Sequence, residues 1–120
     1  MEPLMESFTT ELRRGTLTLA VLSQLRTPQY GYSLVQRLEK AGVAIEQSTL
    51  YPLLRRLEKQ ELLTSSWDTT ESRPRKYYVI SEYGSNIYEQ LKKEWETMTA
   101  ELKTLLEGDE NDETDCSLYI

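Results

Sequence analysis

Hydrophobic residues recur at helical spacing through the first quarter of the chain. Residues 12–26 are apolar on nearly every side, which predicts a central, buried helix. Leu4, Phe8 and Leu12 share one face at helical spacing and predict a short helix before it. Pro28 then ends the pattern, because a residue that precedes proline disfavours helical geometry.

Two amphipathic helices are predicted to follow, over residues 31–41 and 48–60. Ser48 or Thr49 can cap the later one. Pro52 then falls at its third or fourth position, where the missing N–H is tolerated. Each helix carries one apolar stripe, which predicts that this stripe packs against the body of the protein. In the third helix the stripe consists of Leu50, Leu53, Leu54 and Leu57.

A β-hairpin is predicted after the third helix. Residues 62–67 and 76–80 are short and rich in β-forming residues, and a mainly polar segment separates them. The tip of this hairpin and the start of its second strand carry a group of cations. They are Arg73, Arg75 and Lys76.

Residues 82–107 form the longest periodic segment. Their apolar side chains are spaced alternately three and four positions apart, which is the a/d pattern of a coiled coil. The pattern predicts one long helix whose apolar seam packs against a second copy of the chain. The predicted seam consists of Tyr88, Leu91, Trp95, Met98, Leu102 and Leu105.

The charge is unevenly distributed along the chain of 120 residues, whose net charge is −6. Residues 12–80 carry 11 basic and 6 acidic side chains, whereas residues 81–120 carry 3 basic and 11 acidic ones. A basic middle with an acidic end suggests different partners for the two halves. Charge and periodicity together predict three regions. They are a body of helices and a hairpin over 1–80, a dimerisation helix over 81–108 and an acidic, disordered tail over 109–120.

Composition argues against several classes of protein. One Cys and no His leave no internal disulfide and almost no zinc chemistry. No nucleophile–base pair, phosphate loop or metal cluster is visible, so we predict a protein that is not an enzyme and needs no cofactor. No apolar run approaches a bilayer span, and the N-terminus has no signal core, so we predict a soluble, cytoplasmic protein. Cys116 stands among acidic residues, which disfavours a redox-sensing thiolate.

These elements fit a protein that reads DNA. A helix fits the major groove when other helices hold it from behind and its free face offers hydroxyls and cations. The third helix offers Thr49, Tyr51 and Arg55, and the hairpin cations can reach phosphates beside it. Pairing of two chains through the last helix supplies a second reader at fixed spacing. The fold class predicted is mainly α, as an α+β winged helix-turn-helix with a long C-terminal dimerisation helix. Residues 1–80 are the predicted DNA-binding domain.

The sequence resembles the PadR-like family of transcriptional regulators over about residues 12–106. The resemblance rests on spaced motifs, none of them specific alone. They are LRRGTL at 12–17, YGYSL at 30–34, STLYPLLRRLEK at 48–59, Trp67, Arg73, RKYY at 75–78, Ile80-Ser81 and Gly84. One departure is Glu61, which stands where the family usually has Gly, so the end of the third helix is expected to differ slightly.

The resemblance implies a dimeric repressor that binds palindromic promoter sites in double-stranded DNA. It implies DNA-facing roles for Tyr32, Ser48, Thr49, Tyr51, Pro52 and Arg55, and a basic wing with Arg75 and Lys76. We add Ser33 and Arg73, so the predicted DNA-binding set has ten members. Some similar regulators carry a Trp that lines a ligand site between subunits, which would make Trp95 a platform for a small aromatic effector.

Alternatives remain open for each of these signals. The cations of the third helix and hairpin can be an ordinary solvated surface, and Tyr32 and Tyr51 can be packing residues. Trp95 can simply fill a dimer interface. The whole domain can instead be a winged-helix module that binds a protein without touching DNA.

Overall fold

Between residues 2 and 116 the chain folds into four helices and three short strands. The computed structural model describes the backbone of residues 2–116 and the side chains of residues 2–108. The elements are α1 (Pro3–Ser23), β1 (Gln29–Tyr30), α2 (Gly31–Lys40), α3 (Gln47–Lys59), β2 (Leu63–Asp68), β3 (Arg75–Ile80) and α4 (Glu82–Cys116). The strands form one antiparallel sheet in the order β1-β3-β2. This arrangement is the predicted winged helix-turn-helix fold with a long last helix.

Helix α1 is longer and less buried than the sequence predicted. It is one continuous helix, and the break expected before residue 12 is absent from it. Gly15 does not interrupt it, because a mid-helix glycine costs only about 1 kcal/mol relative to alanine. Only Val21 and Leu22 of this helix are fully buried, while Leu12 is 75% exposed. The prediction of a helix buried along its length was therefore wrong for its first half.

Helices α2 and α3 form the predicted helix-turn-helix, and their stripes of apolar residues meet in the core. Gly42 follows α2 with a φ of 87°, the left-handed conformation that suits glycine. The start of α3 differs from the prediction, since Glu46 rather than Ser48 or Thr49 is its N-cap residue. Pro52 is consequently the sixth residue of the helix, two or three positions deeper than expected. The buried stripes are Leu34, Val35 and Leu38 in α2, and Leu50, Leu53, Leu54 and Leu57 in α3.

The hairpin forms as predicted, with strand ends shifted by one residue. Leu63 lies opposite Ile80 at its base, and Asp68 lies opposite Arg75 near its tip. Strand β1 was not predicted from the sequence; it pairs Tyr30 with Tyr77 and makes β3 the central strand of the sheet. A strand of two residues is too short to show an alternating pattern, so only the tertiary contact defines it.

Glu61 takes the conformation that its identity disfavours. Its φ is 67°, and the Leu62 N–H donates to the Leu57 carbonyl at 2.9 Å, as in a glycine-ended helix. The expectation that this helix end would differ because glycine is missing was therefore wrong. The tight turn is needed to bring β2 back beside α3, and the backbone adopts it with glutamate in place.

Ser81 caps helix α4, and Gly84 in the first turn of the helix packs closely against the backbone at Leu62. The Gly84 N–H donates to the Ser81 hydroxyl at 2.9 Å, which makes Ser81 the N-cap. A Cβ on Gly84 would lie 2.0 Å from the Leu62 carbonyl oxygen, so only glycine allows this close approach. The residues up to Tyr88 form one compact unit and those from Glu89 onward form a second.

Helix α4 also continues beyond its predicted end at residue 107, since its last helical residue is Cys116. The prediction of a disordered acidic tail concerns residues 109–120, and their side chains lie outside the described residues. No helix within the described part of the chain is long and apolar enough to cross a membrane.

Candidate nucleic-acid interface

The exposed face of α3 is held from behind by its leucines. Every leucine of the stripe is buried, with Leu50 and Leu54 fully so. The opposite face is polar and open to solvent, because amphipathic spacing places the two sets on different sides. It carries four of the predicted DNA-binding residues, Ser48, Thr49, Pro52 and Arg55, all exposed. The Ser48 hydroxyl donates to the Glu46 carboxylate at 3.3 Å.

Tyr51 is half-buried where α3 meets the start of α2. A Cβ on Gly31 would lie 2.2 Å from a ring carbon of Tyr51 and 2.5 Å from its hydroxyl oxygen. The absence of a side chain at residue 31 therefore lets the phenol lie directly against the first turn of α2. Tyr32, the next residue, is exposed on the same turn. The fold thus brings together Tyr32 and Tyr51, the two tyrosines that were predicted to face DNA.

Ser33 is occupied in capping α2. Its hydroxyl accepts from the Tyr30 N–H at 3.1 Å and lies 2.9 Å from the Gln29 side-chain oxygen. A hydroxyl has one proton and two lone pairs, so these contacts use most of its capacity. The structure thus gives Ser33 a structural task at the helix start, which sequence spacing alone did not reveal.

The wing, defined here as β2, β3 and the residues between them, runs back along α3 and is joined to it by Glu58. The Ser65 hydroxyl of β2 donates to one carboxylate oxygen of Glu58, and the Lys76 ammonium of β3 donates to the other at 3.1 Å. The hydrogen bond from Ser65, followed by that from Lys76, lowers the pKa of Glu58. The same contact with Glu58 raises the pKa of Lys76. Lys76 is therefore engaged within the protein, although the sequence suggested a free phosphate contact.

Arg75 also has partners within the protein. Its guanidinium carbon lies 4.6 Å from the centre of the Tyr30 ring, and its Nη2 lies 3.6 Å from a Glu71 carboxylate oxygen. The Tyr30 ring meets Tyr77 edge to face, with ring centres 5.4 Å apart. Stacking of this kind leaves the edge of a guanidinium available to donate, and in Arg75 the Glu71 carboxylate already faces part of that edge. Arg73 is exposed at the wing tip.

The wing tip is ordered by Asp68 at the end of β2. One oxygen of its carboxylate accepts from the Thr70 N–H at 2.9 Å and from the Thr70 hydroxyl at 2.7 Å. The backbone hydrogen bond, with the hydroxyl next, lowers the pKa of Asp68. An aspartate turn of this kind fixes the chain direction, so the cations of the tip start from a defined place.

An open cleft of about 650 Å³ lies between the wing and the starts of α2 and α3. It gathers five of the predicted DNA-binding residues: Tyr32, Tyr51, Arg73, Arg75 and Lys76. It also gathers residues that sequence reasoning did not assign to the site: Tyr30, Gln47 and Trp67 among them. Strand alternation was the signal for Trp67, since it shares a face with Leu63 and Ser65.

A second cleft, of about 530 Å³, lies between α1 and the start of α3. Thr49 lines it together with Arg13 and Arg14 of α1, and Glu46 contributes a negative charge. Of the predicted DNA-binding residues, only Thr49 lines this cleft. The two clefts thus flank the first turns of α3.

The predicted dimer seam divides into a buried first position and exposed later ones. Tyr88 is buried in the core of the first compact unit, with the Arg26 guanidinium carbon 5.2 Å from its ring centre. Tyr88 therefore has little surface left for a second chain. The remaining seam residues of α4 are exposed: Leu91, Trp95, Met98, Leu102 and Leu105. Trp95, the candidate effector platform, is 46% exposed.

The side chains that the structure describes include no group of three or more acidic or Cys residues arranged to hold a metal ion. The open face of α3 and the cleft beside the wing carry hydroxyls, aromatic rings and cations, which suit binding to phosphates and base edges.

Comparisons with known proteins agree with this geometry. The model of the Transcriptional regulator PadR-like family matches residues 18–90. The crystal structure of a PadR family transcriptional regulator from Eggerthella lenta is 48% identical, with a TM-score of 0.83, over 87% of this chain and 93% of that one. A PadR-like transcription factor from Bacteroides fragilis is 29% identical, with a TM-score of 0.70, over 82% of this chain and 98% of that one.

One relative that was found by sequence adds no information about function. An uncharacterised protein of Lysinibacillus sphaericus is 30% identical over 103 residues, which is 82% of this chain and 94% of that protein. The family match covers more than half of the chain and includes α2, α3 and the wing. The family consists of transcriptional regulators, not enzymes. This chain is a member of the PadR-like family of transcriptional regulators.

Proposed function

We propose that this regulator binds a palindromic promoter site in double-stranded DNA as a homodimer and represses transcription until a small aromatic effector releases it. The exposed polar face of α3, held by a buried leucine stripe and flanked by a cationic wing, carries the DNA-binding part. A reading helix needs both a rigid support and a free polar face, and α3 has both.

Of the protein's cationic side chains, Arg55 and Arg73 are assigned the main contacts with DNA. Arg55 extends from the exposed face of α3 and contacts base edges or phosphates in the major groove. Arg73 contacts a phosphate from the wing tip. Both side chains are exposed, whereas Lys76 is held by Glu58.

Pairing of two chains through α4 is supported by its exposed apolar seam. Four side chains from Trp95 to Leu105 are exposed at a/d spacing, and a soluble helix with such a stripe gains free energy when a second helix covers it. Two reading heads joined in this way match a two-fold symmetric site.

Release by an effector rests on Trp95 in that seam. Two copies of Trp95 facing one another would offer a flat aromatic ligand a stacking site, worth roughly 0.5–1.5 kcal/mol beyond burial for each contact. A ligand that favours one arrangement of the paired helices would shift the population of DNA-binding dimers.

The DNA-binding part is tested by titrating the purified protein into a fluorescent fragment of its own promoter at rising salt. We expect nanomolar to micromolar affinity that falls steeply with salt, because cations of the protein release counterions from phosphates. Arg55→Ala should weaken binding at least tenfold, which corresponds to about 1.4 kcal/mol. Lys40→Ala, which removes an equal charge from an exposed position at the end of α2, is the matched control and should have a much smaller effect.

The alternative, a winged-helix module that binds a protein, makes the opposite prediction. Binding to the promoter fragment would then be absent at low salt or insensitive to salt, and Arg55→Ala would leave partner binding intact. The effector part is tested separately by adding planar aromatic compounds and recording the tryptophan emission, to which Trp95 contributes. Quenching together with loss of DNA binding supports release, and unchanged emission with an intact dimer contradicts it.

A further inference from the structure

Trp67 faces the reading helix and yet remains open to solvent. Alternate residues of a strand share a face, so Trp67 lies on the same side of β2 as Leu63 and Ser65. Leu63 is buried, and Ser65 donates to Glu58 of α3, which fixes this side as the one toward the helix. Trp67 is nevertheless 63% exposed. A large ring on the inner side of the wing is thus left uncovered by the chain itself.

The surroundings of Trp67 are aromatic and cationic. Trp67 lies opposite Lys76 in the hairpin register and lines the same cleft as Tyr32 of α2 and Gln47 of α3. Arg73 lines the cleft from the wing tip. None of the side chains that line the cleft is acidic. Such a cleft suits an occupant that has both negative charge and apolar surface.

The position of the cleft indicates which part of the DNA would occupy it when α3 lies in the major groove. One sugar–phosphate backbone separates a major groove from the neighbouring minor groove. An element that flanks a helix in the major groove, as the wing flanks α3, therefore meets one of the two backbones that border that groove. The cleft lies between these two elements, so the backbone is what the geometry brings into it.

We propose that the wing cleft seats one stretch of the DNA sugar–phosphate backbone and that Trp67 covers a deoxyribose there, with its indole N–H donating to a phosphate oxygen. This inference rests on the proposed binding of DNA by α3. The sugar presents C–H groups to the ring, and the indole N–H is a hydrogen-bond donor that cannot itself accept. Contacts with the backbone position a protein without reading sequence, so Trp67 adds affinity rather than specificity.

Fluorescence tests this assignment directly, because the chain has two tryptophans, Trp67 and Trp95. Trp95→Phe leaves Trp67 as the single strong emitter. Saturation of this variant with duplex DNA should change the Trp67 emission and protect it from a soluble quencher such as iodide. Unchanged emission and unchanged quenching in a variant that is bound to DNA would overturn the proposal.

Affinity measurements provide the second test. Trp67→Ala should bind roughly tenfold more weakly to specific and unrelated duplexes alike, with an unchanged salt dependence because the residue is uncharged. Trp67→Phe keeps an aromatic ring but loses the indole N–H, so its affinity for DNA should lie between that of the natural protein and that of Trp67→Ala. Tyr83→Ala removes an exposed ring that does not line the cleft, and it should have little effect.

The site on the DNA is located with duplexes that carry one neutral methylphosphonate at a time. At one position in each half-site the substitution should weaken the natural protein but not Trp67→Ala, since the same contact is already lost. If the natural protein binds the duplex while no position behaves in this way, the backbone assignment fails and the proposed function stands. If the natural protein does not bind duplex DNA, both fail.

Discussion

The ammonium of Lys76 donates to the carboxylate of Glu58 across 3.1 Å, and this contact joins strand β3 of the wing to α3. The Ser65 hydroxyl donates to the second oxygen of the same carboxylate. One acidic side chain near the end of α3 therefore holds both strands of the wing. The position of the wing relative to α3 depends on this Glu58 side chain. Lys76 therefore has a structural role within the protein, separate from any contact with a DNA phosphate.

The first prediction concerns the unequal roles of wing cations in DNA binding. Arg73→Ala should reduce the slope of log affinity against log salt by about 0.9, as expected for the loss of one phosphate contact. Lys76→Met should reduce it by clearly less, because Lys76 is neutralised by Glu58 in the protein. Fluorescence anisotropy at four or five salt concentrations measures both slopes. Equal losses of slope would show that Lys76 leaves Glu58 to contact DNA.

The second prediction concerns stability against pH. The pKa of Glu58 is lowered from its ordinary 4.5, chiefly by the hydrogen bond from Ser65. A lowered pKa means that the contact stabilises the fold fully above pH 4.5 and that this stabilisation is lost as pH falls through the lower folded value. The pKa of Lys76 is raised from its ordinary 10.5, so the contribution of Lys76 to the stability of the fold is fully present below pH 10.5. This contribution is lost as pH rises through the higher pKa of the folded state.

Glu58→Gln tests this pH dependence. It should lower the free energy of unfolding by about 1 kcal/mol at pH 7. This is less than the roughly 1.5–3 kcal/mol of a hydrogen bond to a charged group, because the contact is partly open to solvent. The difference from the natural protein should shrink below pH 4. Urea unfolding at pH 3, 5 and 7 measures it, with Glu39→Gln on the exposed side of α2 as control. A difference that is constant with pH would contradict the role of the Glu58 charge.

The third prediction concerns Glu61 at the end of α3. Its φ of 67° costs an ordinary residue about 1 kcal/mol, which glycine avoids. Glu61→Gly should therefore raise the free energy of unfolding by roughly 0.5–1 kcal/mol, reduced by the greater freedom of glycine in the unfolded chain. Thermal unfolding followed by circular dichroism measures the change. Destabilisation by Glu61→Gly would mean that the glutamate side chain has a compensating contact.

The fourth prediction compares two glycines in helices. Gly84→Ala should destabilise the protein by about 2–3 kcal/mol, because its Cβ would meet the Leu62 carbonyl at 2.0 Å and α4 would have to move. Gly15→Ala has open space around its Cβ and should stabilise α1 by about 0.5–1 kcal/mol. Urea unfolding of the two variants gives the comparison. Similar effects of the two substitutions would show that the close approach at Gly84 is unimportant.

The fifth prediction concerns pairing through α4. Leu102→Glu places a charge in the apolar seam and should convert a dimer into single subunits at micromolar concentration. Thr97→Glu adds the same charge outside the a/d positions and should leave the dimer intact. Sedimentation velocity separates the two forms. A natural protein that sediments as a single subunit would contradict pairing altogether.

The sequence predicted the helices and the hairpin because their stripes and alternation are local patterns. Leu50, Leu53 and Leu54 mark the buried side of α3 by spacing alone, and the structure buries all three. The same spacing left Arg55 on the open side. The family resemblance added which exposed residues face DNA, and those roles stay predictions.

Tertiary structure alone decided which side chains are free to act. Lys76, Ser33 and Tyr88 look available in the sequence, yet each is engaged by a residue distant in the chain or by the geometry of a helix start. Trp67 shows the reverse, since a ring that alternation places toward the body is left exposed in the cleft. Local pattern determines which face of an element is apolar, but whether a polar group is satisfied depends on partners that only the folded chain brings near.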